Sequence, residues 1–126
     1  MWSIPSYAVE TGKDVFMKIP TLKKNKEFYR VYNRGKAYVS PVVVIYVFRR
    51  RYGVPKIGIT TGKKIGKAVM RNRARRVIMA ALRELYPRID NRYDIVFVAR
   101  GRTPLVKSTE VLRHMEKQLK KAGVLI

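Results

Sequence analysis

Cysteine is absent from this 126-residue chain, and histidine occurs once. The first absence excludes a disulfide framework and a cysteine-type zinc site, and the second leaves no histidine pair for acid–base or metal chemistry. Asp and Glu number 8 against 29 Lys and Arg, and none lies between Glu27 and Glu84. Clustered carboxylates, which metal-assisted hydrolysis by protein groups requires, are therefore missing from the middle of the chain. The longest unbroken apolar run, Val42–Phe48, is far too short to span a bilayer. The N-terminus shows no basic leader followed by an apolar stretch. These absences point to a soluble, cytoplasmic chain with no membrane partner and no evident protein partner.

Catalytic motifs are missing as well: there is no G-x-S-x-G, no zinc spacing and no H-E-x-x-H. His114 reads as a surface residue of a helix beside Glu110 and Glu116. Asp90 and Asp94 flank a turn into a strand and read as ordinary loop and strand-start acids. The expectation is that the chain holds neither a catalytic residue nor a metal site of its own.

What the chain has is positive charge. The formal net charge is +21, and a compact fold carrying it repels itself unless a polyanion neutralises it. Fifteen Lys and Arg fall between Arg30 and Arg83 with no acid among them, whereas ordinary surfaces intersperse the two signs. A nucleic acid is the expected partner, bound by the middle of the chain. Apolar residues make up 47% of the sequence, enough for one packed core at this length.

Residues 1–20 carry two prolines and no periodicity, and read as a flexible tail ahead of a single domain over 21–126. Met17, followed by KIPTLKK, is an alternative start. Asn25 is expected to cap a helix through Arg34, with Phe28, Val31 and Tyr32 on one face and Gly35 as the stop. Lys36–Phe48 reads as one strand with Pro41 at an edge or bulge, and Val54–Thr60 as a second. A helix is predicted over Ala68–Leu85, ended by Pro87, with Met70, Ala74, Val77, Ile78, Ala81 and Leu85 on its apolar arc. Arg71, Asn72, Arg75, Arg76 and Arg83 occupy the opposite arc, with Arg73 on the flank. Tyr93–Ala99 reads as the last strand and Thr109–Lys121 as the last helix, stopped by Gly123. The fold class is α/β, an α+β sandwich with a small mixed sheet and elements in the order α-β-β-α-β-α.

Two stretches imitate known phosphate or RNA binders and fail on spacing. GKKIGKA at 62–68 has three residues between its glycines, where a Walker loop has four, and Ala68 stands where Ser or Thr would hold magnesium. RGKAYVSP at 34–41 places Lys36 and Pro41 where an RRM needs aromatic platforms. A simpler inference survives: Lys63, Lys64 and Lys67 surround a helix N-terminus, an arrangement that suits a phosphate. Phe28 and Tyr32 lie one helical turn apart, and Tyr46 shares a strand face with Val44 and Phe48. These aromatics either fill the core or line a cleft in which unpaired bases stack. The run Arg49-Arg50-Arg51 is a basic turn.

Three stretches, LKKNKEFYRVYNRGKAY (22–38), IGITTGKKIGKAVMRNRARRVI (57–78) and YDIVFVARG (93–101), resemble the protein subunit of bacterial ribonuclease P. The similarity runs from about Leu22 to the C-terminus, and its signature is Arg71-Asn72-Arg73 at the start of a mid-chain helix. The resemblance implies a left-handed β-α-β crossover. It also implies a role in a ribonucleoprotein endonuclease whose catalytic RNA, with Mg2+ bound mainly by that RNA, removes the 5′ leader from precursor tRNA. Carried onto this chain, it assigns Lys63, Lys64, Lys67, Arg71, Asn72, Arg73, Arg75 and Arg76 to catalytic RNA, and Phe28, Tyr32, Val44 and Tyr46 to a leader-binding cleft. Lys67 stands where that family usually has Asn, which removes a helix cap and adds a charge. A basic ribosomal or RNA-chaperone protein without a role in cleavage is the competing reading.

Overall fold

Residues 36–48, expected as one strand, fold back on themselves in the computed structural model, which describes residues 21–22, 24–50, 56–90 and 92–125. Strand β1 spans Lys36–Val39 and β2 spans Val43–Arg49, paired antiparallel with Val39 opposite Val44. Pro41 has no N–H for a ladder, so the chain turns there. Ser40 closes the turn: its Oγ accepts from the Val43 N–H at 3.1 Å and donates to the Val43 carbonyl at 2.9 Å. The order is thus α-β-β-β-α-β-α, one strand more than the expected string and still a mixed α+β fold.

Helix α1 covers Asn25–Arg34, β3 covers Ile57–Thr60, α2 covers Ala68–Leu85, β4 covers Tyr93–Ala99 and α3 covers Ser108–Ala122. The four strands lie in the order β1-β2-β4-β3, with β2–β4 antiparallel and β3–β4 parallel. A parallel pair of adjacent strands needs a crossover, and α2 supplies it. The larger core forms where Ile45, Val47, Ile95 and Phe97 of the sheet meet α2 and α3. Helix α1 lies on the other face, over Val96. The central strands β2 and β4 are buried on one face and partly covered by α1 on the other, which accords with their nearly continuous apolar sequence.

The helix boundaries have local causes. Helix α1 begins at Asn25, so the cap position falls to Lys24, whose backbone N–H is accepted by Glu27 Oε1 at 3.1 Å. Asn25 is therefore the first helical residue and not the cap. Gly35 ends α1 for want of space: a Cβ there would strike the Val31 carbonyl oxygen and come within 2.7 Å of the Val47 carbonyl oxygen. Helix α2 matches its predicted span, although its buried stripe is wider and includes Met79 and Leu82, because the helix packs on α3 as well as on the sheet. Met70 and Val77 are half-buried at the rim of that core. Helix α3 ends at Gly123, whose φ of 77° is the left-handed conformation that favours glycine. The expected tail at 1–20, Arg51 and the first residues of the expected second strand lie outside the described residues. Among the described residues no helix is long and apolar enough to cross a membrane.

Candidate nucleic-acid interface

The face of the sheet under α1 carries one row formed by Tyr46, Val96 and the bare backbone of Gly58, which the strand registers place side by side. Phe28 lies directly on Gly58, where a Cβ would sit 2.5 Å from the ring. Val31 is fully buried against Val96. Tyr32 meets Tyr46 edge-on, with ring centroids 4.9 Å apart and planes at 72°, and Phe28 follows at 6.4 Å. Burial pushes the Tyr32 phenol up from its ordinary range, while a hydrogen bond with the Thr60 side chain acts in the opposite sense.

Helix α1 leaves the neighbouring row partly open. Val44, Val98 and Thr60 stand side by side and half-buried, and Val39 at the sheet edge is 67% exposed. The result is an apolar trough walled by Tyr32 and Tyr46 and floored by valines. Phe28, Tyr32 and Tyr46 form one chain of contacts, and Val44 lies one row further along the same face. Val98, Thr60 and Val39 were not legible as lining residues, because their approach depends on strand pairing alone.

Beyond Thr60 the chain enters the basic segment. Ile65 is buried and anchors a short 3-10 turn at Lys63–Ile65, while Lys63, Lys64 and Lys67 are exposed. Gly66, at φ 132°, makes a bend that an L side chain rarely adopts. At the N-terminus of α2, Lys67 supplies no side-chain cap, so the first-turn amides keep their positive end uncovered. Asn72, Arg73 and Arg76 are exposed, and Arg71 and Arg75 are half-buried. Two of these arginines are steered by the protein. Arg73 Nε donates to the Pro104 carbonyl at 2.6 Å, and Arg75 donates through a terminal nitrogen to Thr61 Oγ1 at 3.0 Å.

Thr60 and Thr61 therefore join the two surfaces: Thr60 pairs with Val98 in the trough, and Thr61 accepts from Arg75 of the basic helix. Stacking faces for bases and cations for phosphates lie at one end of β3. The arrangement suits RNA whose bases are unpaired on one side and whose backbone is gripped on the other.

The family profile described as Ribonuclease P matches residues 16–123. The chain belongs to the ribonuclease P protein family. The ribonuclease P protein component of Clostridium kluyveri is 37% identical over 110 residues, covering 86% of this chain and 98% of its own. That of Caldanaerobacter subterraneus is 38% identical, covering 82% and 90%. Among solved structures, the Staphylococcus aureus RNase P protein superposes with a TM-score of 0.75 at 28% identity, covering 86% of this chain and all of that one. The Thermotoga maritima RNase P protein shares the fold, with a TM-score of 0.70 at 23% identity, covering 80% and 96%. Membership places the chain in a tRNA-processing ribonucleoprotein with an RNA partner.

The carboxylates of this ribonuclease P protein act as struts. Asp94 is 1% exposed; it accepts from Arg50 Nε at 3.0 and 3.1 Å and from a terminal nitrogen at 2.9 Å, and from the Lys56 amide at 2.7 Å. The sequence reading of Asp94 as an ordinary strand-start acid missed this buried pair, for which an acid inside YDIVFVA was the available signal. Asp90 holds Arg92 and is held below the usual carboxylate range by that guanidinium. Among the described residues no three of His, Cys, Asp and Glu come together as a metal site. His114 lies on α3, across the sheet from the trough.

Proposed function

We propose that this ribonuclease P protein holds the single-stranded 5′ leader of precursor tRNA in the trough beneath Tyr32 and Tyr46. Lys63, Lys64, Lys67 and the arginines of α2 hold the phosphate backbone of the catalytic RNA beside it. The observation that carries the reading is the junction at Thr60 and Thr61, where a residue paired with Val98 in the trough is followed by one that accepts from Arg75 of the basic helix.

In this division of labour the RNA and its magnesium ions cut the phosphodiester, and the protein positions and neutralises. Stacking contributes about 1–3 kcal/mol per base and tolerates any sequence, which suits leaders that vary. Cations placed between two RNAs relieve their repulsion, so assembly requires less magnesium. The protein's role requires no ion of its own, and the buried carboxylate Asp94 is already occupied by Arg50 and the Lys56 amide.

The test is 5′ maturation of precursor tRNA by the catalytic RNA over a magnesium series, with and without the chain. The expected result is a shift of the magnesium midpoint to lower concentration when the chain is present. An unchanged midpoint, or cleavage by the chain in the absence of any RNA subunit, would sink the proposal.

A further inference from the structure

A second groove, of about 820 Å³, opens beside α1 and is lined by the outer face of that helix and by the end of β2. The trough and this groove differ in the rows they use. Val44 and Val98 lie on one side of the Tyr46–Val96 row, whereas Phe48 and Asp94 lie on the other. Helix α1 separates the two.

Lys26, Arg30 and Arg34 form the helical wall of the groove. Their spacing of four residues aligns them on one ridge, about 6 Å apart along the axis, so neighbouring cations can meet neighbouring phosphates of one strand. None of the three pairs with a carboxylate among the described residues. The opposite wall contains Arg50, which the buried Asp94 fixes through Nε and one terminal nitrogen, leaving the other terminal nitrogen without a partner among the described residues. A guanidinium anchored this way loses little side-chain entropy when it meets an anion.

Aromatic surface accompanies the charge. Tyr29 lines the same groove and is 61% exposed, one of few large apolar-bodied residues left in solvent, and half-buried Phe48 forms part of the wall. Cations alone suit any polyanion. Cations around an exposed ring suit a strand whose bases are free to stack.

We infer that the groove formed by Lys26, Tyr29, Arg30 and Arg34 of α1 with Phe48 and Arg50 is a second binding track for single-stranded RNA, separate from the trough. The inference goes beyond the leader assignment, since it needs only that the chain binds unpaired RNA.

The experiment titrates the full chain against a labelled single-stranded oligouridine by fluorescence anisotropy over a salt series. The double substitution Arg30→Gln with Arg34→Gln keeps helix-forming side chains, and a thermal melt checks the fold. Removing one phosphate-binding cation lowers the salt slope by about 0.7, so the double variant drops by about 1.4 units of slope and binds about tenfold or more weakly at low salt. Tyr29→Ala weakens binding several-fold with an unchanged slope. An unaltered slope in the double variant, or displacement of the oligouridine by polyglutamate as readily as by unlabelled RNA, overturns the inference. A second arm uses the catalytic RNA alone: loss there without loss on oligouridine assigns the groove to folded RNA and also overturns it. The leader proposal is judged separately, by the preference for precursor over mature tRNA, so either can fail while the other stands.

Discussion

The Arg75 guanidinium donates to Thr61 Oγ1 at 3.0 Å, one residue beyond Thr60, which pairs with Val98 in the trough. The end of β3 and the residue after it thereby reach both the apolar trough and a cation on α2. Arg75 Nε is buried without a partner among the described residues, and the Thr61 contact is the hydrogen bond that orients this guanidinium there.

Thr61→Val removes that hydroxyl while keeping the shape of the side chain. The expected change in stability is about 0.5–1.5 kcal/mol, because the bond is partly exposed. Affinity for the catalytic RNA should fall by a larger factor than the melt suggests, since a freed Arg75 must be ordered on binding. Parallel thermal melts and filter binding check this.

Tyr46→Ala removes the ring that Tyr32 meets at 4.9 Å. Loss of one stacking platform corresponds to about 1–3 kcal/mol, roughly fivefold to a hundredfold in affinity. The loss should fall on precursor tRNA and leave mature tRNA nearly unchanged. Equal loss on both would favour a general RNA-chaperone role.

Gly58→Ala tests why glycine stands under Phe28. The added Cβ meets Phe28 ring carbons at 2.5 and 2.8 Å, so the ring or α1 must move. Overpacking of this kind costs about 1–3 kcal/mol, read as a lowered midpoint in urea. Pairing it with Phe28→Leu should recover part of the loss, because the two sites touch.

Lys67→Asn should act in opposite directions on stability and binding. An Asn cap supplies the oxygen that the first turn of α2 lacks, worth about 1 kcal/mol to the fold. The lost cation should reduce the salt slope of RNA binding by about one unit. A rise in melting temperature with a flatter slope is the expected pair of results.

Acid should expose the carboxylate struts. Arg88 holds the Glu116 carboxyl below its ordinary value of 4.5, and Arg92 does the same to Asp90 from 3.8. Groups lowered in the folded state contribute stability that is complete above their ordinary values and disappears as pH falls through the lowered ones. The melting temperature should therefore hold from neutrality to about pH 5 and decline below it. Arg88→Gln should shrink the Glu116 part of that decline without abolishing it, because Lys120 also lowers this carboxyl.

Several features of the site were legible before any coordinates because they depend on neighbours in the chain. Helix 68–85 shows itself by a stripe of Ala74, Ile78, Ala81 and Leu85, and strand 93–99 by the run of β-formers Ile95–Val98. The basic character of the loop at 63–67 is likewise local. Ser40 reads as the interior of a strand, yet its hydroxyl closes a turn onto Val43, three residues on. Residues whose role depends on distant partners were opaque. Gln118 of α3 is buried, and its side-chain nitrogen donates to the Tyr38 and Val43 carbonyls, 80 and 75 residues away in the chain.

By itself the sequence determined the excess of cations, the absence of an acid–base cluster in the middle of the chain, and the amphipathic helix that carries the arginines. Those are properties of composition and of a 3.6-residue period, which need no knowledge of the rest of the fold. Tertiary structure decided which side chains share a surface: Tyr32 with Tyr46, Arg75 with Thr61, and Asp94 with Arg50 across 44 residues. The physical reason is that strand register and helix docking bring together residues far apart in the chain. Burial and pairing reward such contacts only once the sheet has closed.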